Sequence, residues 1–501
     1  MARAAHATTV PALLLAGLAT LAMTTPGPLA GAIPVRELPA GGTAGLLRAP
    51  LWTAIRAPLP AGAGTSPDSY LYGMACPSAS TCAAAGNYVD RAGTSQGLLL
   101  TGHGSSWTAT KAPLPAAAGA SPSDVSLFGV VCPSAVACVA AGSYTDSAGN
   151  PEGLLITGHG TSWTAIEAPQ PPGAAVDPDV SLSAVTCAST YLCVAAGSYL
   201  DSSGNYQGLL IAGHGTSWTA TEAPLPANAG ASPIVGLLGV TCASASQCIA
   251  VGYYTDSKLS YQGLLLTWHR SSWTATEAPL PAGAGTNPGA NLSGIACPSA
   301  SICVATGAYM NSSSAYQGLL LAGHGSSWTA TKAPLPAGTN ADPAASLSGV
   351  TCPPASTCTV TGYYSSTAGQ QGLLLAGRGT AWTATKAPLP TTSTDPEASV
   401  GDVTCPATSA CLAAGAYHVS SGESRGFLLT GRGSSWTATQ PPVPANAQPG
   451  SYVEAITSVA CPSRASCDAA GYFTIGAAGD EHAMLLTGQA DSHPHGQRPG
   501  P

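Results

Sequence analysis

Sixteen cysteines fall into eight pairs, and in every pair the second follows the first by six positions: Cys76/Cys82, Cys132/Cys138, Cys187/Cys193, Cys242/Cys248, Cys297/Cys303, Cys352/Cys358, Cys405/Cys411 and Cys461/Cys467. Thiols so spaced either hold a metal or oxidise to a disulfide. Zinc sites prefer about two to four residues between ligands, with a partner pair close by. An intervening stretch of five residues instead makes a hairpin loop with the two cysteines opposed at its base, within disulfide reach. All sixteen obey this rule without remainder, so eight local bridges are expected, each worth about 2–3 kcal/mol at most because the loop it closes is small. Evenly paired cysteines also fit an oxidising compartment.

Three further series carry chemistry. Tyr88/Asp90, Tyr144/Asp146, Tyr199/Asp201 and Tyr254/Asp256 form a Tyr-x-Asp half-ring, with Asn311 fifth and Ser366, Val419 and Thr474 in the later copies. Asp followed by Ser and Gly is turn chemistry, the carboxylate accepting nearby backbone amides. The same half-ring is the expected ligand-binding set, for calcium or a glycan, although the ligand spacing of an EF-hand is absent. A second series, His103, His159, His214, His269, His324, Arg378 and Arg432, stands four residues before successive tryptophans. It reads as exposed turn residues or as a surface for an anionic ligand; repeat-related turns lie too far apart to share a metal, whose ligands sit about 2 Å from one point. Third, Glu152, Glu423, Glu454, Asp480 and Glu481 break the repeat pattern and are the carboxylates available for acid–base work. No catalytic residue, metal or cofactor is expected from any of these series.

The element positioning all of them is one phrase written eight times, its first cysteines recurring every 53–56 residues. A fixed period of that order marks a repeat architecture. Each copy holds four short strand candidates: A before the first cysteine (Leu127-Phe128-Gly129-Val130-Val131), B after the second (Val139 to Tyr144), C a Gly-Leu-Leu run, and D a Trp-Thr-Ala phrase. Turn residues bound every one, and no stretch has sustained helical periodicity. Four antiparallel strands repeated eight times predict a single, all-β, eight-bladed β-propeller. Openings and closings are offset by one: Trp52 belongs to a closing phrase without a beginning, and the copy holding Cys461 and Cys467 lacks its own. The N-terminal strand is therefore expected to complete the C-terminal blade, leaving no open seam; a stray hairpin of Gly45-Leu46-Leu47 with Trp52 is the alternative. Strand D carries Arg56, Lys111, Glu167, Glu222, Glu277, Lys332, Lys386 and Gln440 four residues after each tryptophan. On an outermost strand, such charges discourage pairing with other chains.

Composition narrows the partners. Charged residues are 8% of the chain, Gly and Pro number 60 and 43, and the net charge of −8 comes without a basic stripe, which argues against nucleic acid. Residues 1–32 read as a signal peptide, with Arg3, a short apolar run over 11–23 and Ala30-Gly31-Ala32 for cleavage. Residues 33–45 are a linker, 46–489 the propeller and 490–501 a polar, disordered tail. No later apolar run reaches the roughly 20 residues of a membrane span, so a secreted monomer is expected.

The C–D connection, Gly102-His103-Gly104-Ser105-Ser106-Trp107 and its copies, resembles the Asp-box turn of sialidase-like (BNR) propellers. The glycine three before the tryptophan matches except at Arg270, and the hydroxyl residue before it except at Ala381. Gly102, Gly158, Gly213, Gly323, Gly377 and Gly431, with Trp268 in the fourth copy, stand where the motif has its aspartate. The unit is also similar to repeats of secreted actinobacterial proteins. That resemblance implies a propeller and raises an exo-sialidase or other glycoside hydrolase as an alternative function. Such enzymes need two carboxylates about 5–10 Å apart, and the sialidases add an arginine cluster that has no counterpart motif here. The expected function is instead a non-catalytic extracellular binding or scaffold module for a glycan, cell-wall or protein ligand, with specificity in the variable loops of one face.

Overall fold

The computed structural model describes residues 51–489 apart from 270–271, 341, 355–356, 391–396, 407–409, 420–421, 464 and 477–478. The expected signal peptide, linker and tail, and Arg270 in the fourth turn, lie outside the described residues. Eight four-stranded antiparallel sheets follow one another around a ring, with a 3-10 turn at Ala116–Ala118. In the first blade, A is Tyr70–Ser78, B is Thr81–Val89, C is Ser95–His103 and D is Ser106–Lys111. Each A strand packs against the A strands on either side, the eighth against the first, so A is innermost and D is the outer edge.

The Leu-Leu-Leu run of strand C shows why both faces of a blade are apolar. Leu98 and Leu100 pack with Ala470 and Leu485 of the eighth blade, while Leu99 packs with Val125 and Leu127 of the second. Every residue of the run is within 1% of full burial, so polar alternation has no place there. The glycine of strand B answers to geometry. A Cβ on Gly86 would lie 1.9 Å from the carbonyl oxygen of Tyr70, and one on Gly252 would lie 1.9 Å from that of Gly236. At this point strand A bulges toward its partner, with the register shifting between Leu71 and Gly73.

All eight disulfides join each cysteine to the one six positions on, with Cα atoms 3.9–4.1 Å apart. The hairpin runs closer to its tip than a five-residue loop implies: Ser189 pairs with Leu192, beyond the opposed Cys187 and Cys193. The pairing is as expected, and the two cysteines of a bridge differ in depth. The second cysteine of the first seven bridges is buried: Cys82, Cys138, Cys193, Cys248, Cys303, Cys358 and Cys411 are at most 5% exposed. Their first partners, Cys76, Cys132, Cys187, Cys242, Cys297, Cys352 and Cys405, are only half-buried, as are Cys461 and Cys467 of the eighth. Strand B is the reason. It runs between A and C, so the cysteine that opens it already faces the neighbouring blade: Cys138 packs with Ala83 and Ala85, and Cys248 with Val194 and Ala196. Cys303 likewise meets Ile249 and Val251, and Cys411 meets Leu374. Cys358, equally buried, lies opposite Gly377 of strand C. The bridges therefore anchor the interior of the blade through the cysteine that opens strand B.

Closure occurs as expected. Strand Leu51–Arg56 pairs antiparallel with Asp480–Gln489, from Leu51 opposite Gln489 to Arg56 opposite Met484. In six other blades the tryptophan indole donates back to its turn, as Trp107 Nε1 does to the Gly104 carbonyl at 3.0 Å and Trp163 to Gly160 at 2.8 Å. Those glycines have φ of +54° to +62°, the left-handed region a two-residue hairpin turn demands. Trp52 is not entered through such a turn, and its buried indole N–H has no hydrogen-bond partner among the described residues. Trp268, which replaces a glycine, packs edge-on against Trp273 with centroids 5.3 Å apart.

Two turn residues defy their position, Ser314 at φ +62° in the fifth blade and a bulkier one in the fourth. Where Gly93, Gly149 and Gly204 close the B–C loops at positive φ, the fourth blade has Leu259 at φ +62° and 77% exposed. A γ-branched residue held there stores strain and buries little. Leu259→Gly is expected to stabilise the protein by about 1 kcal/mol, read as a raised urea midpoint at unchanged m-value.

Candidate functional site

The two faces of the ring differ. Disulfide hairpins and C–D turns occupy one. The other carries the B–C loops, onto which the D-to-A connections fold through bridges between Ala63 and Asp90, Ala174 and Asp201, Ala229 and Asp256, Ala284 and Asn311, and Thr339 and Ser366.

On this loop face each Tyr-x-Asp residue has an internal occupation. Asp90 Oδ1 accepts the amides of Ala92 and Thr94 at 2.8 and 3.1 Å, and Oδ2 accepts Gln96 Nε2 at 2.9 Å. Asp201 repeats this with Ser203, Asn205 and Gln207 at 2.8, 2.9 and 2.9 Å, and Asp256 with Lys258, Ser260 and Gln262 at 2.8, 2.9 and 3.0 Å. Asp146 takes Ala148 and Asn150, both at 2.8 Å. Burial pushes the carboxyls of Asp90, Asp201 and Asp256 up, but these donors outweigh it and hold them below the ordinary carboxylate range. The donors alone dominate at Asp146, with the Asn150 amide first. Asn311 makes the same turn with a neutral oxygen, accepting Ser313 and Ala315 at 2.9 and 3.0 Å.

Tyr88, Tyr144, Tyr199 and Tyr254 are no more than 1% exposed. Burial raises all four phenols, and the strand-D charges receive three of them: Tyr144 donates to Glu167 at 3.2 Å, Tyr199 to Glu222 at 2.8 Å and Tyr254 to Glu277 at 3.1 Å. Charges at that position therefore bind within the blade besides guarding an edge. In the eighth blade Phe473 lies opposite His482, as Tyr88 lies opposite Gln96. Ile475, not Thr474, thus takes the aspartate's place. The sequence spacing hid this because Tyr472 precedes Phe473 and mimics the motif tyrosine.

The turn ring finds separate neighbours rather than a common centre. His103 Nε2 lies 3.4 Å from Asp468 Oδ2, His214 packs edge-on to Tyr191 with centroids 5.9 Å apart, and Arg432 donates to Thr357 at 3.4 Å. Asp468 is fully buried, accepts Thr487 Oγ1 at 2.8 Å, and approaches Cys76 and Cys82 at 3.8 and 3.5 Å. Burial raises its carboxyl, against the pull of Thr487 and His103. Cys76, Cys82 and Asp468 place their ligand atoms within 4.8 Å of one another, yet both sulfurs are spent in the disulfide.

The pattern-breaking carboxylates divide. Glu152 is buried in the second blade. Burial and the charges of Glu167, Asp146 and Asp177 push its carboxyl up to about 7, against a 3.4 Å bond from Gln170. The others gather where the seventh, eighth and first blades meet. Glu454 accepts Thr474 Oγ1 at 2.7 Å, Glu481 accepts the Tyr70 hydroxyl, Asp480 accepts Ser66 Oγ at 3.3 Å, and Glu423 pairs with Arg425, which lies 3.8 Å over the Tyr452 ring. Tyr70, Tyr72, Tyr472 and Phe128 pack among themselves there. Burial and Arg56, whose Nη2 sits 2.7 Å from Nδ1, push His482 down to about 4. Arg56 and Arg425 are thus held singly, Arg56 by His482 and Arg425 by Glu423 and Tyr452.

Sequence reasoning passed over Tyr206, Tyr261 and Tyr316. They open strand C in the third, fourth and fifth blades and are 40%, 41% and 39% exposed. The available signal was a departure from the repeat, because the other copies place Ser95, Pro151, Gln370, Ser424 and Glu481 there.

No known protein family matches the chain, and no curated protein matches it in sequence. Solved structures similar in fold include an ulvan lyase of polysaccharide lyase family PL25 (8% identity, 76% of this chain and 99% of that one, TM-score 0.45) and the sialidase of Trypanosoma rangeli (10% identity, 65% and 56%, TM-score 0.33). The WD40 domain of SCAP from fission yeast is another (7% identity, 88% and 98%, TM-score 0.38). The propeller described above rests on this chain's own strand pairing.

Proposed function

We propose that the chain is exported, loses residues 1–32, and acts outside the cell as a monomeric, non-catalytic binding module whose loop face takes a glycan. One observation carries this reading: the loops of that face are braced by their own hydrogen bonds. Each of the four aspartates organises its own B–C loop, and the D-to-A connections, which differ between copies, are bonded onto those loops, as in Gly64 N to Val89 O at 3.0 Å and Ser147 N to Ala118 O at 3.0 Å. Variable segments on a rigid frame are where specificity usually resides, and preorganisation lowers the entropy lost on binding. In this reading Asp90, Asp146, Asp201 and Asp256, with Tyr88, Tyr144, Tyr199 and Tyr254 beneath them, shape the binding loops from within. Eight disulfides fit the extracellular assignment.

Glycan arrays and retention on cell-wall material, using the secreted protein, test the proposal. Retention is expected; its absence on both overturns it. Asp201→Ala leaves two loop amides and Gln207 without their acceptor, so it is expected to cost about 2 kcal/mol of stability and weaken retention by loosening the third loop. Turnover of a sialoside or glucan that vanishes in Glu423→Gln or Glu454→Gln would install the glycoside hydrolase alternative instead.

A further inference from the structure

We propose that Tyr206, Tyr261 and Tyr316 form a track for an unbranched, uncharged polysaccharide, with one sugar ring over each phenol. The inference rests on the loop face being the binding face and names the class of its ligand.

Position makes the three rings a set. Each lies directly opposite the last residue of strand B, Leu200, Thr255 and Met310 respectively. The repeat therefore places them at one site on three consecutive blades, an eighth of a turn apart. Five other blades fold with a non-aromatic residue there, so folding does not require the rings. Their exposure is nearly equal, whereas the tyrosines of the B–C motif are buried.

Two of the rings are also held. The Tyr206 hydroxyl donates to Asp179, and Tyr261 rests edge-on against Tyr253 with centroids 5.5 Å apart at 75°. A fixed, half-exposed phenol offers an apolar face with a polar rim, which suits a pyranose: its axial C–H bonds cover the ring while its hydroxyls stay in water or meet the loops. Charge selects a neutral chain. Asp179 already accepts Tyr206, the carboxylates of Asp201 and Asp256 are consumed in their turns, and the exposed Asp177 and Lys258, on the segments leading to Tyr206 and Tyr261, carry opposite charges that offset each other. A short sugar covers one ring. Only a longer chain spans the arc, and it must curve to follow the blades.

Titration calorimetry and affinity electrophoresis of the full chain against soluble neutral glucans, mannans and galactans, with oligosaccharides of about one to eight units, test this. Binding to at least one polysaccharide is expected, rising steeply with length as second and third rings engage. Tyr206→Ala, Tyr261→Ala and Tyr316→Ala should each lose about five- to tenfold, the triple variant all measurable binding, and Tyr261→Phe little. Matching melting curves confirm that the half-exposed substitutions leave the fold intact. A triple variant with wild-type affinity overturns the track while leaving the loop-face reading standing. Failure of the wild type to bind any neutral polysaccharide also overturns it, and retention on cell-wall material then decides the broader reading separately.

Discussion

Removing the strand Leu51–Arg56 is expected to cost several kcal/mol, and Trp52→Ala alone about 3–5 kcal/mol, the range for truncating a large buried aromatic. Trp52 is 7% exposed and packs in the eighth blade's cluster with Leu412, Leu428 and Leu486. Its strand covers one edge of Asp480–Gln489, the last strand among the described residues. Without it that edge opens, and the buried His482 loses Arg56, the group 2.7 Å from its Nδ1. Urea unfolding of the truncated and Trp52→Ala proteins measures the effect. An unchanged midpoint would mean that three strands suffice for the eighth blade and that the ring does not depend on joining its ends.

Ring closure also explains where the repeat is broken. Three residues before the first cysteine, six blades have Gly73, Gly129, Ala184, Gly239, Gly294 and Gly349. Neighbouring blades crowd that point: a Cβ on Gly349 would lie 2.6 Å from the Gly401 carbonyl oxygen. The seventh blade has Asp402 there, accepting the Val459 amide at 2.9 Å and Ser458 Oγ at 3.2 Å across the gap, while Ser458 Oγ accepts the Met74 amide at 3.2 Å. Seventh, eighth and first blades are thus tied by side chains where the others meet by close backbone packing. Asp468 extends the same logic two positions nearer the disulfide hairpins, because the residue after the second cysteine is Ala83, Val139, Val194, Ile249, Val304, Thr359 or Leu412 elsewhere.

Blade count, strand order, bridge pairing and closure were legible because each leaves a periodic mark: cysteines at a fixed interval, three leucines buried on both faces, a lone closing phrase. The depth of the bridges was not, because spacing sets which cysteines meet and says nothing of the neighbouring blade that covers Cys138 or Cys303. Nor was the interior placement of Tyr88 and its copies, since a tyrosine followed by an aspartate looks alike on a surface loop and at a blade's buried end. Only the register, which sets Tyr144 opposite Glu152 and near Glu167, distinguishes them. Tyr206, Tyr261 and Tyr316 escaped for the opposite reason: exposure depends on neighbouring blades that sequence spacing does not report. The seam carboxylates stood out as departures from the repeat, but their partners Tyr70, Thr474 and Ser66 are distant in sequence or belong to the adjoining blade.

Glu152→Gln is expected to stabilise the protein by about 2 kcal/mol at pH 8 and to do nothing at pH 4. In the first, third and fourth blades a glutamine donates to the loop aspartate, Gln96 to Asp90, Gln207 to Asp201 and Gln262 to Asp256. The second blade sets an acid at that position, beside Asp146 and Glu167, and the Gln170 amide is the donor that reaches it. Folding raises the carboxyl from 4.5 to about 7, chiefly through burial. The folded state then holds a proton the unfolded chain has released, so stability falls as pH rises through the window from 4.5 to 7 and stays low above it. A full shift of that size corresponds to about 3 kcal/mol; solvent screening and relaxation around the acid reduce it to the smaller figure. The substituted amide cannot ionise and gains the donor role, so the difference between variant and wild type should grow across that window and then level. His482, pushed down to about 4, destabilises both proteins equally as pH falls from 6.5, and the comparison cancels it. A gain of equal size at pH 4 and pH 8 would show that packing or hydrogen bonding, not the proton on Glu152, sets the stability of the second blade.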